Sequence, residues 1–152
     1  MTYRVLVAGS RDWPYPAWIY RELAEIGQRV GCGELVVRHG ASGRADWAAD
    51  RYAASVDARR EQRPADWEGP CRDTCRPGHR KRDSAGREYC PAAGMYRNAG
   101  MLDDGDPVDE ALVFIAPCRN QACRRPRTHG SHGATGMAEL AQSRGVPTRR
   151  FP

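Results

Sequence analysis

The segment Arg4-Val-Leu-Val-Ala8 is almost continuously apolar and runs straight into Gly9-Ser10-Arg11. A strand with no polar face must be covered on both sides, which places it inside a parallel sheet with helices above and below. The rest of the chain repeats that grammar. Ile19, Leu23, Ile26 and Val30 recur at spacings of four, three and four, predicting an amphipathic helix over 17–30 that Gly31-Cys32-Gly33 ends. Glu34 to Arg38 reads as a second strand, ending at His39-Gly40. Ala45, Ala48, Ala49, Tyr52, Ala53 and Val56 give a second helix with a narrow face suited to close packing. A third, edge-like strand is expected over 57–63, a short helix over 96–102 and a clear strand at Ala111–Ala116. A helix over 133–144, with Met137, Leu140 and Ala141 inward, and a last strand over 146–151 complete the series. Strands alternating with crossover helices predict an α/β, Rossmann-like, doubly wound and mainly parallel sheet of about five strands.

At 152 residues the chain has material for one domain, 1–152, and not for two independent cores. Two stretches fit no sheet element: a Cys/His-rich insertion at about 67–94 and a second Cys/Arg-rich loop at 117–129. Both are expected as loops on the ligand-facing edge. No apolar run is long enough for a transmembrane helix, so no membrane partner is expected. The net charge is +5, and all basic residues but Lys81 are arginine. That skew, with abundant Gly, Ala and Pro, points to a GC-rich bacterial or phage source. The charge itself is compatible with nucleotide or nucleic-acid binding and selects neither.

Ligands of such sheets sit beyond the carboxyl ends of the strands, where glycine turns let a phosphate approach backbone N–H groups at a helix start. Three turns qualify: Gly9-Ser10, His39-Gly40 and Gly130-Ser131-His132-Gly133. Ser10, Ser131 and Thr135 can add hydroxyl donors, and Arg11 a guanidinium fork. Asp46 can accept from a ribose hydroxyl, but an acid in a first helical turn is also ordinary dipole compensation, the better reading for that residue alone. His39 can act as a base or ribose contact, although a strand-end histidine is more often only packed and hydrogen-bonded. Arg97-Asn98 follows the cysteine segment near the start of a helix, where Asn98 can cap it or hold a base edge.

The motifs RVLVAGSRDW, HGASGRAD at 39–46, YRNAGM at 96–101 and HGSHGAT at 129–135 follow one another with strand-like spacers. Together they resemble the YspA-type, cpYpsA-related branch of the SLOG superfamily, Rossmann-like domains related to DNA-uptake proteins and lonely-guy enzymes. The resemblance covers nearly the whole chain. It implies a pocket for a nucleotide or nucleotide-derived ligand, which members sense or process. Lonely-guy enzymes carry PGGxGTxxE, whose glutamate helps cleave an N-glycosidic bond. Here Glu139 falls one residue late after Thr135, about 100° round a helix. Sensing is therefore the leading reading and enzymatic activity stays open. Nucleotide N-glycosidase or phosphoribohydrolase chemistry is the alternative. The family's second motif also places glycine directly before Ala-Asp, where this chain has Arg44, with Gly43 one position earlier.

Cys71, Cys75, His79 and Cys90 supply three thiols and an imidazole within twenty residues. The start of the chain reads as a buried strand and not as an export signal, so a cytoplasmic location is expected. Disulfides are rare there, and a histidine at this spacing suits metal. A complete Cys3His set leaves no open position, which implies a structural zinc (Zn2+). The plain alternative is reduced surface thiols beside a solvated histidine. Cys118 and Cys123 are rival ligands, either completing a site shared between the two loops or forming a second one with His129 or His132. Cys32 is expected to be a small buried residue. Arg72, Arg76, Arg80, Arg82 and Arg87 in one loop, and Arg119, Arg124, Arg125 and Arg127 in the other, allow a third reading. A zinc-stapled loop with Trp67 and Tyr89 nearby could grip single-stranded nucleic acid, though a solvated arginine-rich loop explains the composition equally well. A homo-oligomer through exposed helices is open, with no patch that demands it.

Overall fold

The computed structural model describes residues 1–125 and 128–152. Strand β1 (Tyr3–Gly9) leads into helix α1 (Pro16–Val30), then β2 (Leu35–His39), α2 (Arg44–Ser55) and β3 (Arg59–Gln62). Two short strands, β4 (Lys81–Arg82) and β5 (Glu88–Tyr89), precede α3 (Ala93–Asp103). Then come β6 (Glu110–Phe114), α4 (His132–Ser143) and β7 (Thr148–Phe151). The five long strands form one parallel sheet in the order β3-β2-β1-β6-β7, with β3 at one edge. This is the Rossmann-like α/β fold that the apolar periods predict. The chain winds outward from β1 in one direction, then returns to place β6 on its other side. The gap between the ends of β1 and β6 is therefore the topological switch point, where such sheets open a crevice.

Alternation along β1 divides the core. Val5 and Val7, with Val37, Leu112 and Phe114, pack under α1 and α2 together with Ile19, Leu23, Ile26 and the alanines of α2. Leu6 and Ala8 point the other way, toward Met101 of α3 and Met137 and Ala141 of α4. Trp13, the tryptophan of the GSRDW motif, is buried edge-on to Trp18 and against Phe114, so it locks the β1–α1 loop to the sheet.

The thinner second face carries charge. Arg4 makes two hydrogen bonds to the Glu61 carboxylate, both at 3.0 Å, and fully buried Arg38 donates to it at 2.7 Å. Arg38 also donates to the carbonyl of Met101 at 2.6 Å, which bolts the last turn of α3 to β2. Burial pushes the Glu61 carboxyl up, but the bonds from Arg4 and Arg38 outweigh it and hold the group below its ordinary range.

Several details differ from the sequence reading. The insertion contains an antiparallel hairpin, β4–β5, whose strands are too short to leave a period. Helix α3 begins earlier than expected, so Arg97 and Asn98 lie inside it and Asn98 caps nothing; its Oδ1 accepts from Arg97 instead. Leu140 is only half-buried, and Ala138 takes the inward position. Cys32 is exposed, because the turn between α1 and β2 stands clear of the sheet. Arg127 lies outside the described residues. Among the described residues, no helix is long and apolar enough to cross a membrane.

Candidate functional site

A cavity of about 680 Å³ opens at the switch point. The ends of β1 and β2, α3 and the start of α4 wall it, and its size suits a small organic ligand. Gly9, Ser10, Arg11, Gly40, Asp46, Arg97, Asn98, Ser131 and Gly133 all stand on that wall. His39, Gly130 and Thr135 do not. His39 is fully buried; its Nδ1 accepts from the Ala41 amide and its Nε2 faces Asp50 at 2.9 Å, so both ring nitrogens are engaged. A Cβ on Gly130 would lie 2.5 Å from Ile115 and 3.0 Å from the Thr135 hydroxyl, so this glycine serves packing behind the wall.

Close approach explains Gly9 and Gly43. A Cβ on Gly9 would sit 2.7 Å from Ala45 and 2.8 Å from the Phe114 carbonyl, where β1, β6 and α2 converge. Gly43, and not the position before Ala45-Asp46, makes the tight contact of the second motif: a Cβ there would be 2.7 Å from the Arg11 backbone. Around Gly133 nothing lies within 4 Å of such an atom, which leaves its backbone open to the cavity. Ser10 joins the pieces. Its hydroxyl accepts from the Ala116 amide and pairs with Ser131, the N-cap residue of α4, whose own hydroxyl makes no capping bond.

The charges on the wall face one another. Asp46 accepts from the amide and hydroxyl of Ser42 at 3.0 and 3.1 Å. Burial nevertheless pushes its carboxyl above the ordinary range. Arg97 donates to the Gly40 carbonyl, and burial lowers its pKa, with Asp46 opposing that shift and Arg11 adding to it. Arg11 is exposed and has no carboxylate partner among the described residues. Trp67, Met95, Met101 and Met137 add an apolar lining to the same cavity, which sequence reasoning did not find. Trp67 was legible only as an aromatic in a loop. A Cβ on Gly94 would meet its ring at 3.2 Å, so the insertion packs directly on α3. Glu139 is exposed on α4, away from the cavity wall.

Two Cys/His groups stand beside this cavity, and each could hold a metal ion. Ligands at about 2.0–2.3 Å from a tetrahedral ion lie about 3.3–3.8 Å from one another. In the first group Cys75 and Cys90 sulfurs are 3.9 Å apart, and His79 Nε2 lies 2.9 Å from Cys71 and 3.4 Å from Cys90. The Tyr96 hydroxyl meets the Cys75 sulfur at 2.6 Å, and Arg80 reaches Cys71 at 3.7 Å. The second group consists of Cys118, Cys123, His129 and His132. Cys123 lies 3.4 Å from His129 Nε2 and 3.5 Å from His132 Nε2, and Cys118 lies 3.7 Å from His132 Nε2. The shared site expected as a rival does not form: Cys118 and Cys123 have their own two histidines, because a bridge between Pro117 and Gly130 folds that loop back on itself.

Comparison with known proteins agrees with the motif reading. Residues 3–69 match the model of the family described as YspA, cpYpsA-related SLOG. The structure is similar to that of DNA processing protein A from Streptococcus pneumoniae, with a TM-score of 0.58 and 17% identity. The match covers 99% of this chain and 50% of that one, so the chain spans about half the length of that protein. At this identity the likeness is one of fold. No curated protein matches the chain.

Proposed function

From a chain that carries the YspA, cpYpsA-related SLOG family match over residues 3–69, we propose a binder and sensor of a nucleotide or nucleotide-derived ligand. The observation that carries this reading is the mixed lining of the cavity. The first turn of α4, the open backbone of Gly133 and the Arg11 guanidinium offer a setting for phosphate. The Trp67 ring and the methionines on the same wall offer a setting for a base. Asp46, also on that wall, suits a ribose hydroxyl. In this reading Cys71, Cys75, His79 and Cys90 hold a structural zinc that fixes the insertion and the start of α3 beside the pocket. Three thiolates and an imidazole fill a tetrahedral shell and leave no position for chemistry.

Titration calorimetry with AMP, ADP and NAD tests the ligand reading. Binding of at least one is expected, weakened about ten- to hundredfold by Arg11→Ala, the effect of losing a charge-assisted hydrogen bond. No binding by any of the three at millimolar concentration would end it. One observation favours the enzyme alternative, N-glycosidic hydrolysis: a carboxyl of raised pKa, Asp46, faces the cavity. Released base on chromatography, lost in Asp46→Asn, would establish that reading over plain sensing. Nucleic-acid binding has less support. Arg80, Arg82 and Arg87 of the insertion already lie near Glu88, Glu68 or Asp83, and Arg72 lies over the Tyr96 ring. Oligonucleotide binding with a steep salt slope would restore it.

A further inference from the structure

We propose that Cys118, Cys123, His129 and His132 form a second, exchangeable centre for a divalent ion of the zinc class, and that its occupancy sets the geometry of the first turn of α4. The proposal stands on the donor set and its placement and does not depend on which ligand fills the cavity.

Four donors, three from one loop and one from the start of α4, converge on a single point. The amide of Cys118 donates to the His129 carbonyl at 2.8 Å, extending the Pro117–Gly130 bridge and setting the first cysteine beside the first histidine. A turn closed by the Cys123 amide on the Asn120 carbonyl, with Ala122 donating to the Asn120 side chain, swings the second cysteine back over that bridge. His132 enters from the other direction as the first residue of α4. Its ring stacks on His129 with centroids 5.1 Å apart, and the two Nε2 atoms lie 3.0 Å from each other. One ligand atom from each of the four residues lies within 4.8 Å of the others. Soft thiolates with imidazoles in a compact set select zinc-class ions over magnesium or calcium, which prefer oxygen. A disulfide between the cysteines would need neither histidine.

Two features separate this centre from the first. Two thiolates and two neutral imidazoles balance a doubly charged ion, whereas three thiolates leave one negative charge, which Arg80 and Tyr96 can stabilise. His132 is also exposed, whereas Cys90 of the first group is 1% exposed. Solvent and a competing chelator therefore reach the second ion first. Cys118 and His132 both stand on the cavity wall, next to Ser131 and Gly133. An ion joining them ties the loop to the start of α4, where Ser131 also meets Ser10 at the end of β1.

Elemental analysis and cobalt titration of the whole protein test this. Wild type is expected to bind two zinc ions per chain, with Cys123→Ser and His132→Ala each binding one. Cobalt bound by Cys75→Ser should show a weaker thiolate charge-transfer band than cobalt bound by Cys123→Ser, in proportion to two ligating sulfurs against three. A chelator should strip one ion from wild type roughly tenfold or more faster than the other, as expected where one site lacks the outer partners of its neighbour. Zinc added to protein with only the first site filled should slow hydrogen exchange over 131–135 in wild type and not in Cys123→Ser. One ion per wild-type chain, unchanged in Cys123→Ser, would overturn the second centre. Two ions with unaltered exchange over 131–135 would overturn its hold on α4.

Discussion

The two Cys/His groups flank one cavity, each at the start of a helix that lines it, yet they are embedded differently. The first closes on Cys90, which is almost wholly buried three residues before α3 and receives backbone support from Trp67. The second closes on His132, which is exposed and is itself the first residue of α4. The difference follows from what each helix already has to hold it. Helix α4 buries Ala134, Met137, Ala138 and Ala141 against the sheet and needs little else. Helix α3 buries only Ala93 and Met101 and is held at its ends. The first Cys/His group fixes its beginning, and Arg38, oriented by Glu61, fixes its last turn. A cluster closed on one buried cysteine supplements packing where the apolar face is thin.

The largest break in that comparison comes from Cys90→Ser. It should abolish the first site and release residues 66–92 to limited proteolysis, whereas Cys123→Ser should alter cleavage only within 117–129. Equal proteolytic patterns in the two variants would show that the clusters carry the same structural weight. Next is Glu61→Gln, which leaves the Arg4 and Arg38 guanidiniums facing each other without their carboxylate. A loss of about 3 kcal/mol in urea unfolding is expected. Its pH dependence has a defined sign. The folded carboxyl titrates below its ordinary value of 4.5, so the stability it contributes is complete above that value and is lost as pH falls through the lower, folded one. Acid unfolding of Glu61→Gln should therefore be shallower below about pH 4.5 than that of wild type.

Tyr96→Phe has a smaller and more local effect. Removing the hydroxyl that meets the Cys75 sulfur should weaken zinc at the first site about ten- to hundredfold, leaving the second unchanged. A chelator competition on each site measures it. Gly40→Ala is the mildest. The added methyl would lie 2.4 Å from the Arg97 guanidinium, the mobile end of a long side chain, so stability should fall by no more than about 1 kcal/mol. Arg97 would still have to shift, and a change in AMP affinity without a change in zinc content is the expected signature.

Much of this was legible in the residue order. The runs Arg4–Ala8, Glu34–Arg38 and Ala111–Ala116 have no polar face, and that property alone places them inside a covered parallel sheet. Cys71, Cys75, His79 and Cys90 were legible as a set because short spacing makes convergence a local matter. Arg38 shows where this ends. In sequence it is a charged residue closing a strand, yet it is fully buried, because Glu61 lies opposite it on β3 and the Met101 carbonyl lies above. His39 likewise looks like a candidate at a strand end, but its ring is spent on Asp50 and Ala41.

Periodicity and short spacing thus determined the sheet, its crevice and the first Cys/His cluster from the sequence alone. Tertiary structure decided the partners of Cys118 and Cys123, the aromatic wall supplied by Trp67, and which glycines face the cavity. The reason is physical. A hydrophobic period is a property of neighbouring residues, whereas a metal shell or a pocket wall requires atoms to meet within a few ångströms of one point. The Pro117–Gly130 bridge and the start of α4 bring His129 and His132 to that point.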